Sequence, residues 1–103
     1  MTRSVVWSRE ARGDLAAIFR HIAADSPEAA DRVVDRIDVA ANSLGSIPTG
    51  RPGRVTGVYE KSIAGLPYIV AYEILARPTS EEIVILHVIH TSRRWPEGGW
   101  PQD

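Results

Sequence analysis

Glu82-Ile83-Val84-Ile85-Leu86-His87-Val88-Ile89-His90 is a nine-residue run that is apolar at odd and even positions alike. A strand with one solvated face alternates apolar and polar residues. Continuous apolarity marks a strand covered on both faces, and so one that lies inside a sheet. Working back towards the N-terminus, Pro67 to Leu75 alternates Tyr68, Val70, Tyr72 and Ile74 against Ile69, Ala71, Glu73 and Leu75 and reads as a second strand. Val55 to Ile63 reads as a third. Arg77-Pro78-Thr79-Ser80 and Ala64-Gly65 separate them as tight turns, which makes the C-terminal half an antiparallel meander. Ile47-Pro48-Thr49-Gly50-Arg51-Pro52-Gly53-Arg54 is too rich in Pro and Gly to be anything but loop.

Before residue 50 the period changes from two to 3.6. Leu15, Ile18, Phe19 and Ile22 recur at helical spacing after Ser8, a good N-cap, with Glu10 in the first turn. This helix is expected to end near Ala24. Ser26-Pro27-Glu28 restarts a helix with a cap, a proline at the first position and an acid. Ala30, Val33, Ile37, Ala40 or Ala41, and Leu44 form its apolar stripe, and Gly45 is the expected stop. The connection is only a few residues long, so the two helices form an antiparallel hairpin. Val5-Val6-Trp7 adds a short first strand. The reading is an α+β domain of order β-α-α-β-β-β, with the helical hairpin packed on one face of a mostly antiparallel four-stranded sheet. The domain is expected over residues 1–94. Residues 95–103, including Trp95-Pro96-Glu97-Gly98-Gly99-Trp100, form an aperiodic tail.

Composition narrows the function. With 103 residues, 44% apolar and 24% charged, the chain has the size and make-up of one globular domain. It has no cysteine, which rules out disulfides and thiolate metal sites. No run approaches the roughly 18 apolar residues of a membrane span, and no signal-peptide core is visible, so a soluble cytoplasmic protein is expected. The net charge is −1. Phosphate-binding domains usually carry a basic excess, so any grip on nucleic acid must come from a local patch.

Several stretches, taken in order, resemble the ParE/RelE toxins of type II toxin–antitoxin systems. They are Ala11-Arg12-Gly13-Asp14-Leu15 with Ile18, Ser26-Pro27-Glu28-Ala29-Ala30, and Gly50-Arg51-Pro52-Gly53-Arg54-Val55. Pro67-Tyr68-Ile69-Val70-Ala71-Tyr72 and Ile85-Leu86-His87-Val88-Ile89-His90 follow, then Arg93 and Trp95-Pro96. The likeness spans nearly the whole chain and is nearest to the ParE-like branch. It implies one of two activities. ParE-like toxins bind DNA gyrase and trap it on broken DNA, with no cofactor and no chemistry of their own. RelE-like toxins cut messenger RNA in the ribosome. It also implies a cognate antitoxin, ParD-like in this branch, held in a toxin–antitoxin hetero-oligomer.

Each activity selects its own residues. RNA cleavage needs a group to deprotonate the 2′-hydroxyl, a cation for the phosphate and an acid for the leaving oxygen. Arg54, Glu60, Lys61, His90 and Arg93 are the candidates. His87 and His90 differ by three and so point to opposite faces of a regular strand, which argues against a shared cluster or a metal site. Partner binding selects Trp7 and Phe19, beside alanine-rich helix flanks that admit a partner helix, together with Arg51, Arg54, Arg93 and Trp95. An exposed final strand or the Arg51–Arg54 loop is a further candidate for receiving an antitoxin strand. The slightly acidic balance favours the gyrase-binding alternative over the nuclease.

Overall fold

The computed structural model describes residues 3–93 and 99–101. The elements are β1 (Ser4–Trp7), α1 (Arg9–Ala23), α2 (Pro27–Ser43), β2 (Arg51–Pro52), β3 (Tyr59–Ser62), β4 (Tyr68–Ala76) and β5 (Glu81–His90). The expected order holds, but the sheet has five strands, β1-β5-β4-β3-β2. All neighbours are antiparallel except β1 and β5, which run parallel.

Both helices start where their caps predict. Ser8 Oγ accepts the Ala11 N–H at 3.0 Å, and Ser26 Oγ accepts the Ala29 N–H at 3.2 Å. Ser8 also closes the chain onto the sheet. Its own N–H donates to Ile85 O, and its hydroxyl donates to Leu86 O. The stripe residues Ala30, Ile37 and Ala41 of α2 and its C-cap Leu44 are fully buried, and Ile37, Ala41 and Leu44 meet Tyr72, Val70, Ile83 and Ile85 in one core. The double-sided run was read correctly: β5 lies between β1 and β4.

Three local expectations need correction. The Pro/Gly-rich stretch expected to be wholly loop contains β2, whose two residues pair with Tyr59 and Glu60. Its proline forgoes ladder donation, which an edge strand tolerates. The strand expected over 55–63 is cut to Tyr59–Ser62, because Gly57 takes a positive φ of 82° and turns the chain. α2 does stop just before Gly45, but without a left-handed glycine cap. Gly45 permits a close approach: a Cβ there would lie 2.6 Å from Arg3 O, and Gly45 O accepts the Arg3 N–H at 2.7 Å. The glycine holds the start of β1 against the end of α2.

A bulge separates the two halves of β5. Tyr72 pairs with Ile85 and Ala71 with His87, so Leu86 is the extra residue. β1 ends level with Ile85, which leaves the outer edge of β5 without a strand partner from Leu86 onwards. Asp14 of α1 takes the strand's place there, its Oδ2 accepting the Val88 N–H at 3.0 Å.

Tyr72, fully buried, stacks on Tyr59 with ring centroids 5.6 Å apart, and its hydroxyl accepts the Gly50 N–H at 3.0 Å. Burial pushes the Tyr68 and Tyr72 hydroxyls above the ordinary value of 10.0. At Tyr72 the Gly50 hydrogen bond pulls the value back and the neighbouring Tyr59 raises it again. A folded pKa above the unfolded one stabilises the native state fully below pH 10, and that contribution disappears as pH rises through the folded value. The urea midpoint is therefore expected to be insensitive to these groups below pH 10 and to fall above it, with phenolate absorbance appearing together with unfolding. In Tyr72→Phe that alkaline fall should be shallower. An equally steep fall in the variant would remove Tyr72 as a cause.

Candidate functional site

The sequence-selected residues occupy three places. Arg51, Arg54, Glu60 and Lys61 gather at the β2–β3 corner. Arg51 pairs with Glu60 across the two strands. The Glu60 side chain is 5% exposed, and its Oε2 accepts the Arg54 N–H at 2.8 Å with the Arg54 guanidinium 4.0 Å away. Lys61 Nζ donates to Thr49 Oγ1 at 2.7 Å. Glu60 thus pins the loop that carries Arg54, and its carboxylate faces the protein's own backbone.

His90 and Arg93 lie at the other end. Glu60 pairs with Ala71 and Ala71 with His87, so two strand-to-strand steps, roughly 10 Å, separate β3 from β5 before the offset along the strand is added. The five nuclease candidates do not form one site. Trp95 lies outside the described residues, as does most of the expected tail.

His87 and His90 depart from expectation. Their partners Ala71 and Tyr68 keep them on opposite faces in register, yet both line one cavity of about 580 Å³. The cavity opens at the strand-free edge of β5, and an edge is reached from either face. Asp14, Ile18, His21, Tyr68, Arg93 and Trp100 also line it. His87 Nδ1 lies 3.0 Å from Asp14 Oδ2, and its ring packs against Trp100 with centroids 4.6 Å apart. The His90 and Tyr68 rings meet edge to face with centroids 5.3 Å apart, and His90 Nδ1 accepts the Ser92 N–H at 3.1 Å with the Ser92 Oγ 2.7 Å away. Among the described residues, no three His, Asp or Glu side chains are arranged to hold a metal ion.

Asp14, His21 and Trp100 were missed from sequence. The available signal was Asp14 itself, a poor helix former well past the first turn of α1 and next to the stripe residue Leu15.

Trp7 and Phe19 line one groove, whereas the alanines Ala23, Ala24, Ala29 and Ala30 are not among its lining residues. With Arg12, Leu15, Ala16, Val34 and Asp38 the two aromatics line a shallow groove of about 400 Å³ across the outer side of the helical hairpin. The groove is mainly apolar, with Arg12 and Asp38 providing one charge of each sign. The final strand is a free edge only beyond Ile85: β1 covers its first half, and in the second Asp14 occupies the Val88 N–H.

A two-helix hairpin on a five-stranded sheet, with an apolar groove beside the hairpin, describes a small α+β domain. The profile described as "ParE toxin of type II toxin-antitoxin system, parDE" matches residues 5–95, and the chain belongs to that family. The Y4kP protein of Sinorhizobium fredii is 38% identical over 96 residues, covering 92% of this chain and 95% of the relative. Toxin RelE2 of Caulobacter vibrioides is 36% identical over 70 residues, covering 68% and 78%. In the solved chromosomal ParDE toxin–antitoxin system from P. aeruginosa, one chain superposes with a TM-score of 0.78 at 27% identity, covering 88% of this chain and 98% of that one. No helix among the described residues is long and apolar enough to cross a membrane.

Proposed function

We propose that this type II toxin acts by binding DNA gyrase, and that a ParD-like antitoxin silences it by laying an amphipathic helix in the Trp7–Phe19 groove. The groove is the observation that carries the antitoxin reading. It presents two large aromatic side chains beside the small Ala16, with Arg12 and Asp38 to set the polarity of an incoming helix. The gyrase reading draws on the ParE affiliation and on the net charge of −1, which suits protein contact better than a grip on ribosomal RNA.

Expression without antitoxin is expected to accumulate gyrase-linked cleaved DNA and to induce the SOS response. Intact DNA and unchanged supercoiling would defeat the gyrase reading. Truncated messenger, lost on His90→Ala or Arg54→Ala, would instead establish ribosome-dependent cleavage. For the groove, Phe19→Asp is expected to weaken binding to the product of the adjacent short gene about 10- to 100-fold by calorimetry, the usual effect of losing an aromatic anchor. Phe19 is partly exposed, so the variant should keep its melting temperature. Unchanged affinity in a folded variant would place the antitoxin elsewhere.

A further inference from the structure

The β5-edge cavity brings together all three histidines of the chain, and hydrogen bonds fix the tautomers of two of them. Asp14 Oδ2 already accepts the Val88 N–H, and an ionised carboxylate only accepts. In the neutral ring the 3.0 Å contact therefore places the His87 proton on Nδ1 and leaves Nε2 as the acceptor. At His90 the relation is reversed. Nδ1 accepts the Ser92 N–H, so the neutral ring carries its proton on Nε2 and donates from there. One cavity thus holds an acceptor imidazole and a donor imidazole.

The remaining walls complement them. Arg93 contributes a permanent positive charge, Trp100 and Tyr68 contribute ring surface, and Ile18 and Val88 contribute an apolar lining. At about 580 Å³ the cavity is within the size range of small-molecule sites, roughly 300–1,000 Å³. Asp14, the only carboxylate that lines the cavity among the described residues, is engaged with Val88 and His87 and orients a ring.

We infer that this cavity binds a nucleoside monophosphate. The phosphate faces the His90 Nε2–H and Arg93, and a hydroxyl or amino donor of the nucleoside faces His87 Nε2. The base lies on the Trp100 and Tyr68 rings, which recognise its π-face without reading its identity. The inference is independent of the antitoxin reading, which uses the Trp7–Phe19 groove and not this cavity.

Nitrogen-resolved NMR of the full chain tests it in two stages. At a pH where both rings are neutral, long-range proton–nitrogen correlations should show His87 protonated at Nδ1 and His90 at Nε2. The same tautomer on both rings would overturn the assignment of roles. Adenosine 5′-monophosphate should then shift the His87, His90 and Trp100 side-chain signals saturably. Adenosine and inorganic phosphate, each lacking half of the ligand, should bind at least about tenfold more weakly. His90→Ala, at an exposed position, should keep the melting temperature and lose about tenfold in nucleotide affinity, the expected effect of removing one hydrogen bond to a charged group. No saturable shift at millimolar nucleotide, or full affinity in His90→Ala, would overturn the proposal.

Discussion

Tyr72→Ala is expected to lower stability by about 3–5 kcal/mol, as large-to-small changes at fully packed aromatic sites do. The ring is inaccessible to solvent at the centre of the sheet, flanked by Ile85 on β5 and stacked on Tyr59 on β3. Its removal opens a cavity that rigid strands on either side cannot close. It also frees the Gly50 N–H, which now donates to the hydroxyl at 3.0 Å. The loop backbone lies so close that a Cβ on Gly50 would be 2.5 Å from that oxygen. For a domain of about 100 residues the melting temperature should fall by more than about 15 °C. Tyr72→Phe separates the two contributions. It keeps the ring and loses about 1–3 kcal/mol, the usual effect of leaving a buried donor unpaired. Calorimetric melting of both variants decides the matter. A loss below about 1.5 kcal/mol in the alanine variant would mean that the core closes around the gap.

Asp14→Ala is the second. The carboxylate stands in for a missing strand at the outer edge of β5, where one oxygen accepts both the Val88 N–H and His87 Nδ1. Val88 is 5% exposed, so its amide has little recourse to water. A loss of about 2–3 kcal/mol is expected from the unpaired donor and the lost charge-assisted contact. The local signature is sharper than the global one. Amide exchange at Val88 should accelerate far more than at Val70, its partner on β4. Asp14→Asn keeps one acceptor and should fall between the two. Wild-type exchange at Val88 in the alanine variant would show that another group caps that edge.

The elements were largely legible, because each carries a strong local signal. Ser8, Ser26 and Pro27 mark the helix starts, and the apolar run of β5 marks a strand covered on both sides. What escaped depends on pairing across long separations. β2 is two residues long and includes a proline, so only its register with Tyr59 and Glu60 makes it a strand. The same limit applies to function. Alternation along β5 correctly puts His87 and His90 on opposite faces, but it is silent about where β1 stops. That stopping point, level with Ile85, opens the edge that both histidines reach. Glu60 looked like a catalytic carboxylate because its chemistry suits the role. Its burial against the Arg54 N–H could be known only once the loop was folded over it. Trp7 and Phe19 are close in sequence: Trp7 ends β1, Phe19 lies on α1, and the short Ser8 junction between the two elements brings them to one groove.

The parallel pairing of β1 with β5 joins the first strand of the chain to the last, with Val5 opposite Ile83 and Trp7 opposite Ile85. During synthesis β1 leaves the ribosome long before its partner exists. The helical hairpin, built from local contacts, can form early, but Trp7 has no sheet to hold it until β5 emerges. The walls of the β5-edge cavity likewise come from α1 and from the end of the chain. An unfinished copy therefore lacks the Trp7 end of its groove and its cavity alike. Placement of the first strand therefore waits on translation of β5.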